Sequence, residues 1–275
     1  MRSQKDLERL AQLDIALPND LEMLKTKLKD PDRLVRLAVI SKLRRMESLS
    51  VIEPLVDALV DEWSDVRCEA ASSLWYYSYY GTRFLSAILD HLVCDSSAEM
   101  RYQSACTAIA IGGNDVMEAL RLALGDPYVQ VRVRACREFA YKKDLRALSE
   151  IHHLLSDSDE VVRSAAAETL VRLGKVDEDI MNMLSTDPSW ELRKRLAHKL
   201  VRAKVADERV ITGVEQLMRE PEVEAYEAGV IEFYDAMAAS EMPEEDKVEI
   251  LEMEVKPLAE LLEKARALLD RRDTD

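Results

Sequence analysis

The sequence predicts an all-α solenoid of about six to seven stacked helical hairpins, closed at each end by helical caps. Three observations carry this fold class. Glycine and proline number only 7 and 8 in 275 residues, well under the average use of roughly 12%, so long strand-and-turn architectures are excluded. Apolar residues make up 48% and charged residues 33%, with Ala, Leu, Glu and Arg dominant, a helix-forming composition that rules out a disordered chain. Above all, one sequence pattern returns at nearly constant spacing.

That pattern is Asp, four residues, an aliphatic residue, Arg, six residues, and a residue of the Leu, Phe or Ala type. It starts at Asp30, Asp61, Asp95, Asp126, Asp157 and Asp187, and a degenerate seventh copy from Glu220 has Tyr226 where Arg is expected. In each period a first helix, such as VIEPLVDALV from Val51, presents Leu55 and Leu59 on one face. It stops at the Asp, which Pro31, Pro127 and Pro188 follow in three copies. A second helix then places an aliphatic residue at +5, a small residue near +9 and an apolar residue at +13 in one stripe. One hairpin cannot bury both its faces, so hairpins stack.

The recurring pairs Asp30/Arg36, Asp61/Arg67, Asp95/Arg101, Asp126/Arg132, Asp157/Arg163 and Asp187/Arg193 read as a structural ladder. The carboxylate can cap the second helix, and the Arg can fork onto an Asp of its own or the adjacent turn. A row of anion-binding arginines is the functional alternative.

Residues 1–18 form an N-terminal capping helix and residues 19–240 the repeat array. Residues 241–275 are acidic C-terminal capping helices, with Pro257 marking a break. From Val205 onward 21 acidic residues face 8 basic ones, which places −13 of the net charge of −15 in that last quarter. The segment reads as a solvated cap, or else as a docking element for a basic partner.

The segments from roughly Asn19 to Ser240 resemble HEAT repeats, in particular the short HEAT-like repeats of the phycobilisome lyase family. The resemblance implies a right-handed α-solenoid that binds proteins along a concave face lined by the second helices.

With +5, +9 and +13 buried, positions +4, +7, +11 and +14 or +15 face that groove. The partner-binding candidates are Trp75, Tyr79, Tyr102, Arg137, Tyr141, Lys194, His198 and Arg202, so the groove runs from an aromatic end to a basic one. Leu74–Tyr80 holds five aromatic residues in a chain that is 5% aromatic; such rings dominate binding hot spots. Trp75 and Tyr79 would be apolar anchors, and Arg137, Lys194 and Arg202 would meet acidic groups of a partner.

The function expected is therefore a non-catalytic scaffold or adaptor, in a hetero-complex rather than a homo-oligomer. A lyase-type subunit acting on phycobiliprotein bilins is the enzymatic alternative that the resemblance implies. A nucleic-acid or DNA-repair module is the third, resting on the basic run Arg193–Lys204 and opposed by the net charge. The four Cys and four His residues show no metal-ligand spacing, no His-Glu dipeptide occurs, and no catalytic residue, metal or cofactor is expected. No secretory signal or 18-residue apolar stretch is present, which gives the expectation of a cytoplasmic protein with free thiols.

Overall fold

The computed structural model describes residues 3–224, 226 and 258–272. The described residues build an all-α solenoid of helical hairpins, and none of their helices is long and apolar enough to cross a membrane. Contacts divide the chain into two units, residues 1–142 and 143–275.

In the first unit α1 (Gln4–Ala16) precedes the pairs α2/α3 (Leu21–Lys27, Arg33–Arg44), α4/α5 (Ile52–Asp57, Ser64–Trp75), α6/α7 (Leu85–Cys94, Ala98–Ile111) and α8/α9 (Asn114–Ala123, Val129–Lys142). Second helices stack on second helices, α3 on α5, α5 on α7 and α7 on α9, and α1 packs on α3. Residues of the +5, +9 and +13 stripe are shut off from solvent, among them Val66, Ala70 and Leu74 in α5 and Val131, Ala135 and Phe139 in α9. At about 25 cal/mol per Å2 of apolar surface, each fully buried Leu or Phe contributes roughly 1.5–3 kcal/mol before conformational entropy is subtracted.

The second unit repeats the plan with α10/α11 (Leu148–His153, Glu160–Arg172), α12/α13 (Glu178–Thr186, Trp190–Arg202) and α14 (Glu208–Leu217). Its last helix, α15 (Leu258–Arg272), lies against α13 and α14 and buries Leu258, Leu261 and Ala265. The rest of the acidic C-terminal cap expected from the sequence, and most of the degenerate seventh copy, lie outside the described residues.

The ladder is more specific than the Asp-to-Arg spacing suggested. Four of its arginines fork onto the Asp of the following repeat. Arg36 Nε and Nη2 donate to Asp61 at 2.7 and 2.9 Å, and Arg67 donates to Asp95 at 2.9 and 2.7 Å. Arg101 reaches Asp126 at 2.6 and 2.9 Å, and Arg163 reaches Asp187 at 2.7 and 3.1 Å. A fifth, Arg193, meets Glu220 of the degenerate copy through Nη2. The third guanidinium nitrogen, Nη1, donates to the backbone carbonyl of the Arg's own Asp, as at Asp30, Asp61, Asp95 and Asp157. One side chain thus closes its own turn and clamps the next.

Arg132 shares the turn-closing half of the rung. Its Nη1 closes its own turn on the Asp126 carbonyl at 2.8 Å, as the others do.

The expectation that the ladder Asp caps the second helix is also corrected. Its Oδ1 accepts the N–H two residues on, at 2.8–3.0 Å, as in Asp61 with Trp63 and Asp126 with Tyr128. The cap is the residue at +2: Asp32, Ser97, Asp159 and Ser189 each accept a first-turn N–H. A short carboxylate already committed to a turn and a fork cannot also reach into the helix.

Candidate functional site

Across the second helices of the first unit runs an open groove of about 680 Å3, lined by Asp6 of α1, Arg33 of α3, Glu99 and Gln103 of α7, and the α5 stripe Asp65, Cys68, Glu69 and Ser72, with Trp63 at the start of α5. Asp65, Cys68 and Ser72 are the +4, +7 and +11 positions, which is why they share this face. Sequence reasoning missed Trp63, Glu69, Asp6 and Glu99. Trp63 stands at the +2 position, where four other repeats use Asp or Ser and the fourth repeat has Tyr128, and it leaves α5 without a side-chain cap. An indole in a capping position costs about 1 kcal/mol, a local mismatch of the kind that accompanies function.

The groove is acidic and has an aromatic wall. The Arg33 guanidinium lies 4.7 Å from the centre of the Trp63 ring and 3.6 Å from Asp65 Oδ2. The other Asp65 oxygen is shut off from solvent and accepts no hydrogen bond. Burial pushes the Cys68 thiol up to about 11, with the Arg67 charge acting weakly against it. At neutral pH Cys68 is therefore a thiol and not a thiolate nucleophile.

At the other end of α5 the aromatic run divides. Tyr77 is buried, whereas Trp75, Tyr76 and Tyr79 are 48%, 63% and 92% exposed. Trp75 and Tyr76 meet edge to face with ring centres 5.3 Å apart, as do Tyr79 and Tyr80. Arg44 ties this ridge to the groove: its guanidinium lies 5.6 Å from the Tyr76 ring centre and its Nη1 lies 3.5 Å from Glu69 Oε1. Gly81 holds the ridge against α7, because a Cβ there would sit 2.4 Å from both γ carbons of Ile111.

The remaining sequence candidates separate. Tyr102 is exposed on α7, and its hydroxyl is pushed up, chiefly by the neighbouring Cys106. Arg137 and Tyr141 are exposed on α9, with Lys142 5.4 Å from the centre of the Tyr141 ring. In the second unit Arg202 is exposed and His198 half-buried.

Lys194 requires a correction. It is only 6% exposed, with its ammonium 3.7 Å from the centre of the Tyr226 ring, and so it does not line an open face. The Tyr that replaces Arg in the degenerate copy covers it. The neighbouring cations are engaged as well: Arg195 with Glu160 at 2.8 Å and Lys199 with Glu168 at 3.3 Å. The basic run is thus largely neutralised within its own unit. Val133, at +7 of α9, is buried too and departs from the outward pattern.

A second cavity, of about 490 Å3, opens in the second unit between α10 and α12, beside His152, Asp179 and Asn182. His152 Nε2 lies 2.8 Å from Asp177 Oδ2, and Nδ1 lies 3.8 Å from Asp179 Oδ2. This is the only His-carboxylate cluster of metal-ligand geometry among the described residues, and both its carboxylates are exposed. Asp177 is already used as the cap of α12, so a paired, surface His-Asp contact accounts for the arrangement.

Comparison with known proteins agrees with this architecture. Residues 117–180 match the family model described as HEAT repeats. Over those residues the chain is similar to HEAT repeats. Among solved structures it is similar to YibA of Escherichia coli, with a TM-score of 0.58 and 15% identity over 97% of this chain and 98% of that one. It is also similar to the complex of CpcE and CpcF of phycocyanin lyase from Nostoc, with a TM-score of 0.47 and 15% identity over 90% and 95% of the chains. Human deoxyhypusine hydroxylase aligns at a TM-score of 0.35 and 15% identity over 96% and 90%. No curated protein matches the chain in sequence. At such identities the likeness concerns the fold.

Proposed function

We propose that this HEAT-repeat chain is a non-catalytic recognition module whose second-helix face in residues 1–142 takes a segment of a partner protein. The observation that carries the reading is the uncovered aromatic ridge Trp75, Tyr76 and Tyr79 beside the groove. Large rigid rings left in water on a stacked-helix face lower the stability of a free chain, and they return that loss when a partner desolvates them. Trp75 and Tyr79 are the anchors in this reading. Tyr102 and Arg137 extend the same face across α7 and α9, while the basic end expected in the second unit takes no part.

The test is affinity capture from source-cell lysate with the full chain, comparing wild type with Trp75→Ala/Tyr79→Ala. The double variant should keep its helical signal and melting behaviour, since neither ring is in the core, and lose a partner by at least about tenfold, as hot-spot truncation does. An identical set of partners on both forms would refute the reading.

A further inference from the structure

We infer that the segment bound by this face is a basic amphipathic helix of the partner, with its Lys and Arg residues along the Asp65–Glu69–Glu99 edge and its apolar stripe against the Trp75–Tyr76–Tyr79 edge. The inference rests on the recognition reading above and adds the partner's chemistry.

Three features carry it. The two edges of the face differ in kind. At the starts of α5 and α7 stand Asp65 and Glu99, with Glu69 about one turn further along α5, and Asp6 and Arg33 complete the charged lining, Arg33 being the single cation lining the groove among the described residues. At the end of α5 stand the exposed rings. From Asp65 to Trp75 the helix advances ten residues, about 15 Å at 1.5 Å each. A guest helix with side chains is about 10–12 Å across, so it spans from the acidic edge to the aromatic edge without reaching past either.

The second feature is the chemistry the groove already displays on its own side chain. Arg33 lies on the Trp63 indole and beside Asp65 at once. A guanidinium is therefore the group this wall accommodates, by stacking and charge together. The third is an imbalance. Asp6, Asp65 and Glu99 line the groove with one cation, Arg33, while Glu69 is already engaged by Arg44, and one Asp65 oxygen is buried without a hydrogen bond. An added cation gains attraction from several acids in a partly desolvated cleft, whereas an acidic or nucleic-acid guest meets repulsion there.

The test uses two fluorescein-labelled 18-residue helical peptides with the same Leu/Trp stripe, one carrying Lys and Arg on its polar edge and the other Glu, read by anisotropy against the full chain. The basic peptide should bind at least about tenfold more tightly than the acidic one and weaken steeply from 50 to 300 mM salt. Asp65→Asn/Glu69→Gln/Glu99→Gln should weaken it about tenfold or more. The matched control Asp90→Asn/Asp115→Asn/Glu118→Gln, on the first helices, should leave it unchanged.

Equal binding of the two peptides by the wild type, which needs no variant to fold, overturns the inference, as does an equal loss in groove and control variants. If Trp75→Ala/Tyr79→Ala abolishes partner capture while the charge-neutralised groove binds as wild type, the recognition reading stands and the basic guest falls. If neither variant affects capture, both fall.

Discussion

Replacing Arg101 with Met tests the ladder where it is most enclosed. Arg101 and Asp126 are 9% and 8% exposed, joined by two bonds of 2.6 and 2.9 Å, with a third of 2.8 Å from Arg101 to the Asp95 carbonyl. In Arg101→Met the Asp126 carboxylate keeps only the Tyr128 N–H, at 2.8 Å. Removing one partner of a buried pair costs about 3–5 kcal/mol, because the charge left behind is uncompensated. For a chain of this size that is a fall in melting temperature of roughly 6–20 °C. The double variant Arg101→Met/Asp126→Asn removes the charge and preserves the turn, since the Asn carbonyl can still accept the Tyr128 N–H. Its loss should be smaller than that of the single variant by about 1.5 kcal/mol or more, a coupling measured by a double-mutant cycle. Urea unfolding followed by circular dichroism gives the energies. Hydrogen exchange then shows the opening concentrated in α7 and α8, as nearest-neighbour stacking requires. A shift below about 1 kcal/mol in Arg101→Met, or strict additivity in the cycle, would refute this account of the ladder.

Acid should weaken the array. Burial, the largest influence, raises the Asp95 carboxyl, yet the Arg67 fork, the Ser97 N–H and His91 together hold it below its ordinary value, and Asp144 is likewise lowered by Arg146. A carboxyl depressed in the folded state stabilises above its unfolded value, so urea midpoints should hold down to about pH 4 and fall progressively below it; a flat profile to pH 2.5 would count against the ladder's charge. Lys204 adopts φ +59 in a closure where Val205 N–H bonds the Leu200 carbonyl, the geometry Gly174 uses one repeat earlier. Lys204→Gly should therefore raise stability by about 0.5–1 kcal/mol, and an unchanged or lower urea midpoint would contradict the strain. Gly81→Ala should cost about 1–3 kcal/mol, because the branched Ile111 side chain has no room to withdraw; near-ultraviolet circular dichroism should report the displaced rings, and a wild-type spectrum and melt would reject the contact. With a soluble maleimide at neutral pH, Cys94 should label first, Cys68 slowly, and Cys136 only on unfolding; prompt labelling of Cys136 would disprove its burial.

The stacking was legible in the sequence because it is written many times over. The stripe at +5, +9 and +13 needs only the helical period, and residues such as Val66, Ala70 and Leu74 lie where that period puts them. The acceptor of each forked Arg was not legible: a spacing of six residues points equally to the Asp of its own turn, and only the stacking distance brings the next Asp within reach. Lys194 was misplaced because the degenerate copy swings Tyr226 over it, a contact between residues 32 positions apart. The groove's acidic edge was overlooked because first-turn carboxylates are ordinary at helix N-termini. The signal that could have revealed it is Trp63 in the position where Asp32, Ser97, Asp159 and Ser189 cap their helices.

The Arg-to-acid clamps span 25, 28, 25, 24 and 27 residues along the chain. Both jaws of each clamp sit at second-helix starts, so the length of polypeptide between them is free to vary without disturbing how the helices meet. The 28-residue interval contains the turn Ser78–Arg83 and with it much of the exposed aromatic ridge. Stability and recognition thus draw on separate stretches of each repeat: the clamps need an Arg and a carboxylate but permit a change of length, and the surplus length is where a binding surface can be acquired, altered or lost while the stacking stays whole.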